Sequence, residues 1–383
     1  RASPAGQAAL QKEIDKMCIE YNSFGKPIEE SDAPKNSTKS GFCLLDFMKN
    51  YERPANERIP KGRAVVLGHI IRLIHNKVPQ VEKSSEDLAA PSMAGMNDIA
   101  ALEESRIVDA WGLLNDYEIQ SVDAENGYLN ERFPSDKLGH KHFVVIPHSL
   151  WHLLPDHLQP KGLKSPIFEM LTCIYGHPLS GSFFIEGVLK LLLANGYRPI
   201  GKVGSRALLI KDNLIVCVYV DDIKAAGPQD ELNELWKVLS TKYKFKADPK
   251  VCDEFLGTQM KRDSTTLCYS NPLYCQEIFD VYEKFFGPPK GSRVPIVNNL
   301  RAYEKTPVVP DQRIQKLIGM ILWLARTCRP DLSFPASCLG SRVAFWDASC
   351  QRELERVVAY IISTKSASLT MDRGRQVPGD FTN

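Results

Sequence analysis

"LIVCVYVDDIKAAG", residues 214–227, carries two aspartates side by side at the end of an apolar run. Val216, Val218 and Val220 alternate with Cys217 and Tyr219, which is the composition of a buried β-strand, and Ile223 to Ala226 can return as its partner. The stretch therefore predicts a hairpin with Asp221 and Asp222 at its tip. Adjacent carboxylates repel each other and resist burial, so their place there needs a reason. One reading is a solvated β-turn, because aspartate is common in turns. The sharper reading is a divalent-metal site. Hard cations such as Mg²⁺ take carboxylate oxygens, keep several waters and bind best where substrate phosphates complete the shell. A pair alone is incomplete and wants a further carboxylate from elsewhere in the chain.

A candidate lies upstream in "EIQSVDAENGYLNERF", residues 118–133. Ile119, Ser121, Val122 and Asp123 read as the end of a short strand that Asp123 closes, and Tyr128 follows five residues later. Neighbouring strands of one sheet can bring two such ends together, as two-metal phosphoryl transfer requires.

The surroundings fit a mixed architecture. In "GPQDELNELWKVLSTKY", Leu232, Leu235, Trp236 and Leu239 fall on one helical face, with Asp230 placed to cap the N-terminus. Strand-like and helix-like runs alternate from Gly62 to about Arg262, with a polar inserted loop expected from Glu82 to Ser92. From Pro288 onward the pattern is helical, as in "QRIQKLIGMILWLARTCRPD". Residues 1–60 read as an amphipathic start (Leu10, Ile14, Met17, Cys18) and a polar linker or exposed loop, "EESDAPKNSTKSG". The expected fold class is α+β.

Bulk properties narrow the function. The 383 residues are enough for two or three packed units, 43% are hydrophobic and 25% charged, and the net charge is only +2. Such a charge gives no global field to hold a polyanion, so any nucleic-acid surface has to be a local groove. Ten scattered cysteines include no CxxC pair, which favours buried thiols over a disulfide or zinc framework. No apolar stretch approaches the ~18 residues of a membrane span. A start at Arg1 without a signal-like stretch is the pattern expected of an intracellular piece of a longer protein.

In their order these motifs resemble the reverse transcriptase of copia-type retrotransposons, from about Lys61 to Thr370. Lys61, Arg63 and Gly68 in "KGRAVVLGH" match the family's first finger motif. Asp123 with Tyr128 matches its first catalytic strand, and "IYGHPLSGSFF" at Ile174–Phe184 its "LYG" turn before a helix. Tyr219 to Asp222 is the YVDD box, and Phe255, Leu256 and Gly257 are the "FLG" turn. Thr327 to Asp331 is similar to the late "TRPD" signature with one residue added, and "AYIISTKSASLTM" is similar to the closing helix and strand.

The resemblance implies a right-hand polymerase with an antiparallel-sheet palm, fingers, and a helical thumb or connection. Residues 61–262 would form fingers and palm, 263–383 the thumb or connection, and 1–60 an extension. It implies an RNA-directed DNA polymerase that adds deoxynucleotides to a primer 3′ end, on an RNA or DNA template. Asp123 and Asp221 would bridge two Mg²⁺ ions (Mn²⁺ as a substitute), with Asp222 assisting and the Ala124 carbonyl completing a shell. Arg63 and Lys61 would grip the triphosphate; the alternative is an exposed charged loop. Tyr128 would exclude a 2′-hydroxyl; the alternative is a core tyrosine. Tyr175 and Gly176 would pass close to the nucleotide. Tyr219 would face the primer–template, and Phe255 to Gly257 would grip the primer, unless they form a simple hairpin. Implied partners are other parts of a retrotransposon polyprotein, and the implied location is the cytoplasm, in a virus-like particle, or the nucleus, with no membrane.

The chain departs from the family where His177, Pro178 and Leu179 replace its Leu-Lys-Gln. His177 is either a nucleic-acid contact or a turn residue. Two other functional classes remain open: an inactive nucleic-acid-binding relic of the same fold, and a metal-dependent nuclease built on clustered carboxylates.

Overall fold

The computed structural model describes residues 3–49, 55–75, 100–200, 207–291, 294–295 and 309–374. The inserted loop expected at Glu82–Ser92 lies outside the described residues. The chain forms two compact units, Arg1–Val108 with Tyr117–Lys250, and Asp109–Asp116 with Val251–Asn383.

Along the first unit run α1 (Pro4–Asp15), β1 (Thr38–Lys49), β2 (Ile59–Val66), α2 (Leu102–Asn115, whose second half belongs to the other unit), β3 (Glu118–Asp123), β4 (His142–Val145) and β5 (Pro166–Glu169). Then come α3 (Ser180–Ala194), β6 (Leu208–Lys211), β7 (Leu214–Tyr219), β8 (Asp222–Gly227) and α4 (Gln229–Ser240). One antiparallel sheet has the order β3-β8-β7-β6. Val216 and Val218 of β7, Ile223 and Ala225 of β8 and Val122 of β3 alternate along their strands and join one core. Helix α3 adds Phe184, Val188 and Leu192, and α4 adds Leu232, Leu235, Trp236 and Leu239, the face its spacing predicts. The Trp236 indole donates to Gln120 Oε1 at 2.6 Å, which ties α4 to β3.

Asp230 does not cap α4. It stands inside the first turn behind Pro228, and no side chain makes a capping hydrogen bond there. Its charge still suits the positive end of the helix dipole.

A second sheet runs β5-β4-β1-β2, with the short Ile28–Glu29 strand beside β5. The twelve residues of β1 do double duty. Thr38–Gly41 pair in parallel with β4, and Phe42–Lys49 pair antiparallel with β2. Residues 1–60 are thus more than an extension and linker, because they give this unit α1 and β1. The polar composition misleads because its hydroxyls are used internally. Thr38 Oγ1 and Ser40 Oγ each lie 2.9 Å from one ring nitrogen of buried His142. Helix α1 comes so close to the hairpin that a Cβ on Gly62 would stand 2.6 Å from the Ala9 carbonyl oxygen.

In the second unit, β9 (Glu254–Phe255), β10 (Thr258–Arg262), β11 (Thr266–Ser270) and β12 (Leu369–Asp372) form an antiparallel sheet in chain order. Its helices are α5 (Pro272–Phe286), α6 (Gln312–Thr327), α7 (Ser333–Gly340) and α8 (Ala348–Ser363). Side chains of Asn271, Asp311 and Asp347 cap α5, α6 and α8. A break after Arg262, as the sequence reading draws it, would separate β10 from β11, whereas the two pair in one sheet and the unit begins at Val251.

All ten cysteines are free thiols, most of them buried. No helix among the described residues is long and apolar enough to cross a membrane.

Candidate active site

The register of the first sheet decides where the aspartates meet. Tyr219 pairs with Asp222, which leaves Val220 and Asp221 as a two-residue turn between β7 and β8. Asp222 in turn lies directly opposite Asp123 on β3. Cross-strand partners of this kind hold their Cβ atoms about 4.5–5.5 Å apart. The turn is locked from the β3 side, where the Ala124 N–H donates to the Asp221 carbonyl at 2.8 Å. Asp123, Asp221 and Asp222 therefore share one corner of one sheet.

That corner is electrostatically costly, because like charges directly opposite on a sheet destabilise it. Burial, then the charges of Asp123 and Asp221, push the Asp222 carboxyl up to about 6 from its ordinary 3.8, against the opposing effect of Lys246. Asp123 Oδ1 is buried and has no hydrogen-bond partner, while Oδ2 holds an ion pair with Lys246. Among the described residues no group of three or more His, Cys, Asp or Glu side chains is arranged to hold a metal as it stands. The outer oxygens have partners within the chain, since Lys246 pairs with Asp123 and the Tyr175 hydroxyl donates to Asp221 Oδ2 at 3.4 Å. The donor set itself, hard carboxylate oxygens with one buried and unbonded, suits Mg²⁺ or Mn²⁺. Ala124 is fully buried, with Phe245 bridged opposite it.

Aromatic and basic side chains line the approach. Tyr128, on the one-turn 3₁₀ helix Gly127–Asn130, stacks at 4.5 Å between ring centroids on Tyr175. The Arg63 guanidinium lies over the other partner of that pair, 4.7 Å from the Tyr175 ring centre, and 5.9 Å from Phe47. Lys61 and Arg63 sit two residues apart on β2 and so share a face. Burial, then the charge of Asp221, pushes the Tyr128 hydroxyl up to about 12 and raises Tyr175 in the same sense. Tyr128 is half-buried, packing on the core edge near Phe184 while its ring adjoins the aspartates' side of the cluster.

Gly176 serves a different contact from the one expected. It has a φ of 89°, and an added Cβ would stand 2.1 Å from the Val66 carbonyl oxygen. The space its missing side chain opens is filled by the end of β2, where Val66 N–H donates to the Tyr175 carbonyl at 2.8 Å. His177 is a buried turn residue, packed edge-on to Phe133 and His142. Tyr219 ends β7 half-buried. Phe255, Leu256 and Gly257 belong to the second unit, where they form a tight hairpin turn with φ of 49° at Leu256 and 72° at Gly257.

Three further residues complete the site. Lys246 is hidden in "KYKFKADPK", a run that reads as solvated lysines. Gly127 leaves room for Asp221, whose Cβ would be 3.1 Å from an added methyl. Phe47 gave no signal beyond strand alternation.

By sequence comparison this chain is similar to a transposon protein. It is 28% identical over 229 residues to the putative transposon Ty5-1 protein of Saccharomyces cerevisiae, a match covering 57% of this chain and 74% of that protein. No family model matches the sequence.

Proposed function

We propose that this chain is an RNA-directed DNA polymerase of copia type, extending a primer with deoxynucleotides on an RNA or DNA template during retrotransposon replication. The observation that carries the reading is the register placing Asp222 opposite Asp123, with Asp221 on the adjoining turn. In this reading the first unit is fingers and palm, the second unit thumb and connection, and the protein works beside other parts of a polyprotein in a cytoplasmic particle or the nucleus.

Two Mg²⁺ ions, when bound, would activate the primer hydroxyl and neutralise the triphosphate. Asp123 and Asp221 would hold them, with Asp222 adding charge that the cations relieve. Arg63, fixed over the Tyr175 ring, presents its guanidinium fork to phosphate oxygens, with Lys61 on the same strand face. Tyr128 bounds the sugar pocket. Phe255, Leu256 and Gly257 would support the primer from their turn, and Tyr219 the primer end.

Primer extension on an RNA template tests the proposal, run with and without Mg²⁺, on the native chain and on Asp221→Asn. Template-dependent, metal-dependent extension that the substitution abolishes is the expected result. Binding without extension by the native chain would identify the inactive relic, and metal-dependent cleavage without synthesis the nuclease.

A further inference from the structure

The mechanism above leaves one charged side chain unexplained: Lys246, whose ammonium holds Asp123 Oδ2. Its position is built by the backbone. The Lys246 N–H donates to the Asp123 carbonyl at 3.1 Å, and the Glu125 N–H donates to the Lys244 carbonyl at 2.7 Å. Between these bonds Phe245 is bridged to Ala124, and its ring packs edge-on to Trp236 of α4. The segment 244–246 is thus a short strap laid along residues 123–125, anchored in the core by Phe245. A lysine on such a strap is delivered to Asp123 by fold geometry, whereas a solvated lysine finds a carboxylate only by chance. It is also the cation at the place where three carboxylates converge.

We propose that Lys246 is a built-in counter-cation for Asp123, which neutralises the aspartate corner when no metal is bound and must leave Oδ2 before a divalent ion takes it. The lysine then sets metal affinity, since every ion that binds competes with an ammonium already in place. The naming of the ion rests on the polymerase reading; the ion pair itself does not. Exposed ion pairs are individually weak, and both partners here are about 40% exposed. Removing a positive charge next to a bound dication adds to the effect, so the change in affinity should be about threefold to tenfold.

Two measurements without turnover test this. The first is a double-mutant cycle on thermal stability in EDTA, with Lys246→Met, Asp123→Asn and the pair. The expected result is that the two substitutions are not additive, because each removes the same interaction. Additive effects would overturn the proposal. The second is Mg²⁺ titration by calorimetry on the native chain, Lys246→Met and Lys246→Gln. Both variants should bind Mg²⁺ about threefold to tenfold more tightly than the native chain. Unchanged or weaker binding in both, with Mg²⁺ still bound by the native chain, would overturn the competition and leave the polymerase reading standing. No Mg²⁺ binding by any of the proteins would overturn the polymerase reading and the competition, while a non-additive cycle would still uphold the ion pair.

Discussion

Val220 is a β-branched residue held at a φ of 51°, a backbone region that costs an L-residue roughly 1–2 kcal/mol. The turn imposes this conformation, because the pairing of Tyr219 with Asp222 leaves only two residues to reverse the chain. Val220→Gly should therefore melt no earlier than the native chain, even though glycine normally lowers stability by about 0.5–1 kcal/mol. A drop of several degrees would show that the Val220 side chain contributes packing that outweighs its strain. Tyr128 makes the sharper functional test. If the chain is the proposed polymerase, admitting a 2′-hydroxyl against its ring is overpacking, worth about 1–3 kcal/mol, or roughly tenfold to a hundredfold in discrimination. Tyr128→Val should accept ribonucleotides while keeping most deoxynucleotide incorporation, read as kcat/KM for a matched pair of nucleotides. An unchanged ratio in a folded variant would place the gate elsewhere. At this scale the aspartates and Tyr128 were legible because each closes or follows an apolar strand. Lys246 was not, since only the bridge between Ala124 and Phe245 distinguishes it from its neighbouring lysines.

Helix ends and strand crossings explain motifs that the sequence could only flag. Arg329, in the "TCRPD" stretch, is 3% exposed at its side chain and forms a two-pronged ion pair with Asp331. It also donates to the Thr364 carbonyl at 3.1 Å and hydroxyl at 2.8 Å, and Tyr360 donates to Asp331 at 2.9 Å. The motif thus joins the turn after α6 to the end of α8. Arg329→Met should cost about 1–3 kcal/mol, because it leaves the half-exposed Asp331 carboxylate and the two Thr364 acceptors without their donor; chemical denaturation would measure it. Arg329→Lys should recover only part, lacking the planar fork. The β1–β4 crossing makes a second prediction. Burial holds His177 down to about 3 from its ordinary 6.5, and His142 well below its ordinary value, with neighbouring histidines adding to each. A histidine that binds its proton more weakly when folded contributes stability that is complete above pH 6.5 and is lost as pH falls through that value towards 3. The slope from His177 alone approaches about 1.4 kcal/mol per pH unit. Urea midpoints taken from pH 7.5 down to 5 should fall accordingly, and His177→Asn should flatten the slope. A native slope no steeper than the variant's would refute a buried neutral ring.

Over the whole chain, a net charge of +2 limits what nucleic acid can feel at a distance. Under the proposed polymerase function, affinity for a primer–template should come from a few local contacts such as Arg63 and Lys61. The slope of log K against log salt should then match a handful of phosphates. A slope near ten would point to a basic surface that this composition gives no reason to expect. The division into units was less legible than the site. The helix α2 is continuous, but the allegiance of its second half depends on distant partners. The Tyr269 hydroxyl donates to Asp109 Oδ2 at 2.7 Å in a buried contact, and Arg262 donates to Asp116. No local pattern in residues 109–116 announces either.

That buried contact has a consequence in time. Asp109 and Tyr269 are 160 positions apart, so during synthesis the acceptor emerges long before its donor exists. At the usual ~5–20 residues per second, the interval is roughly ten to thirty seconds. Through it the second half of α2 waits without the sheet it belongs to, exposing surface that a chaperone can recognise. A tail beginning at Val251 would fare no better alone, because it would lack the eight residues that its unit borrows from upstream. The second unit can finish folding only after the first part of the chain has been made and kept available.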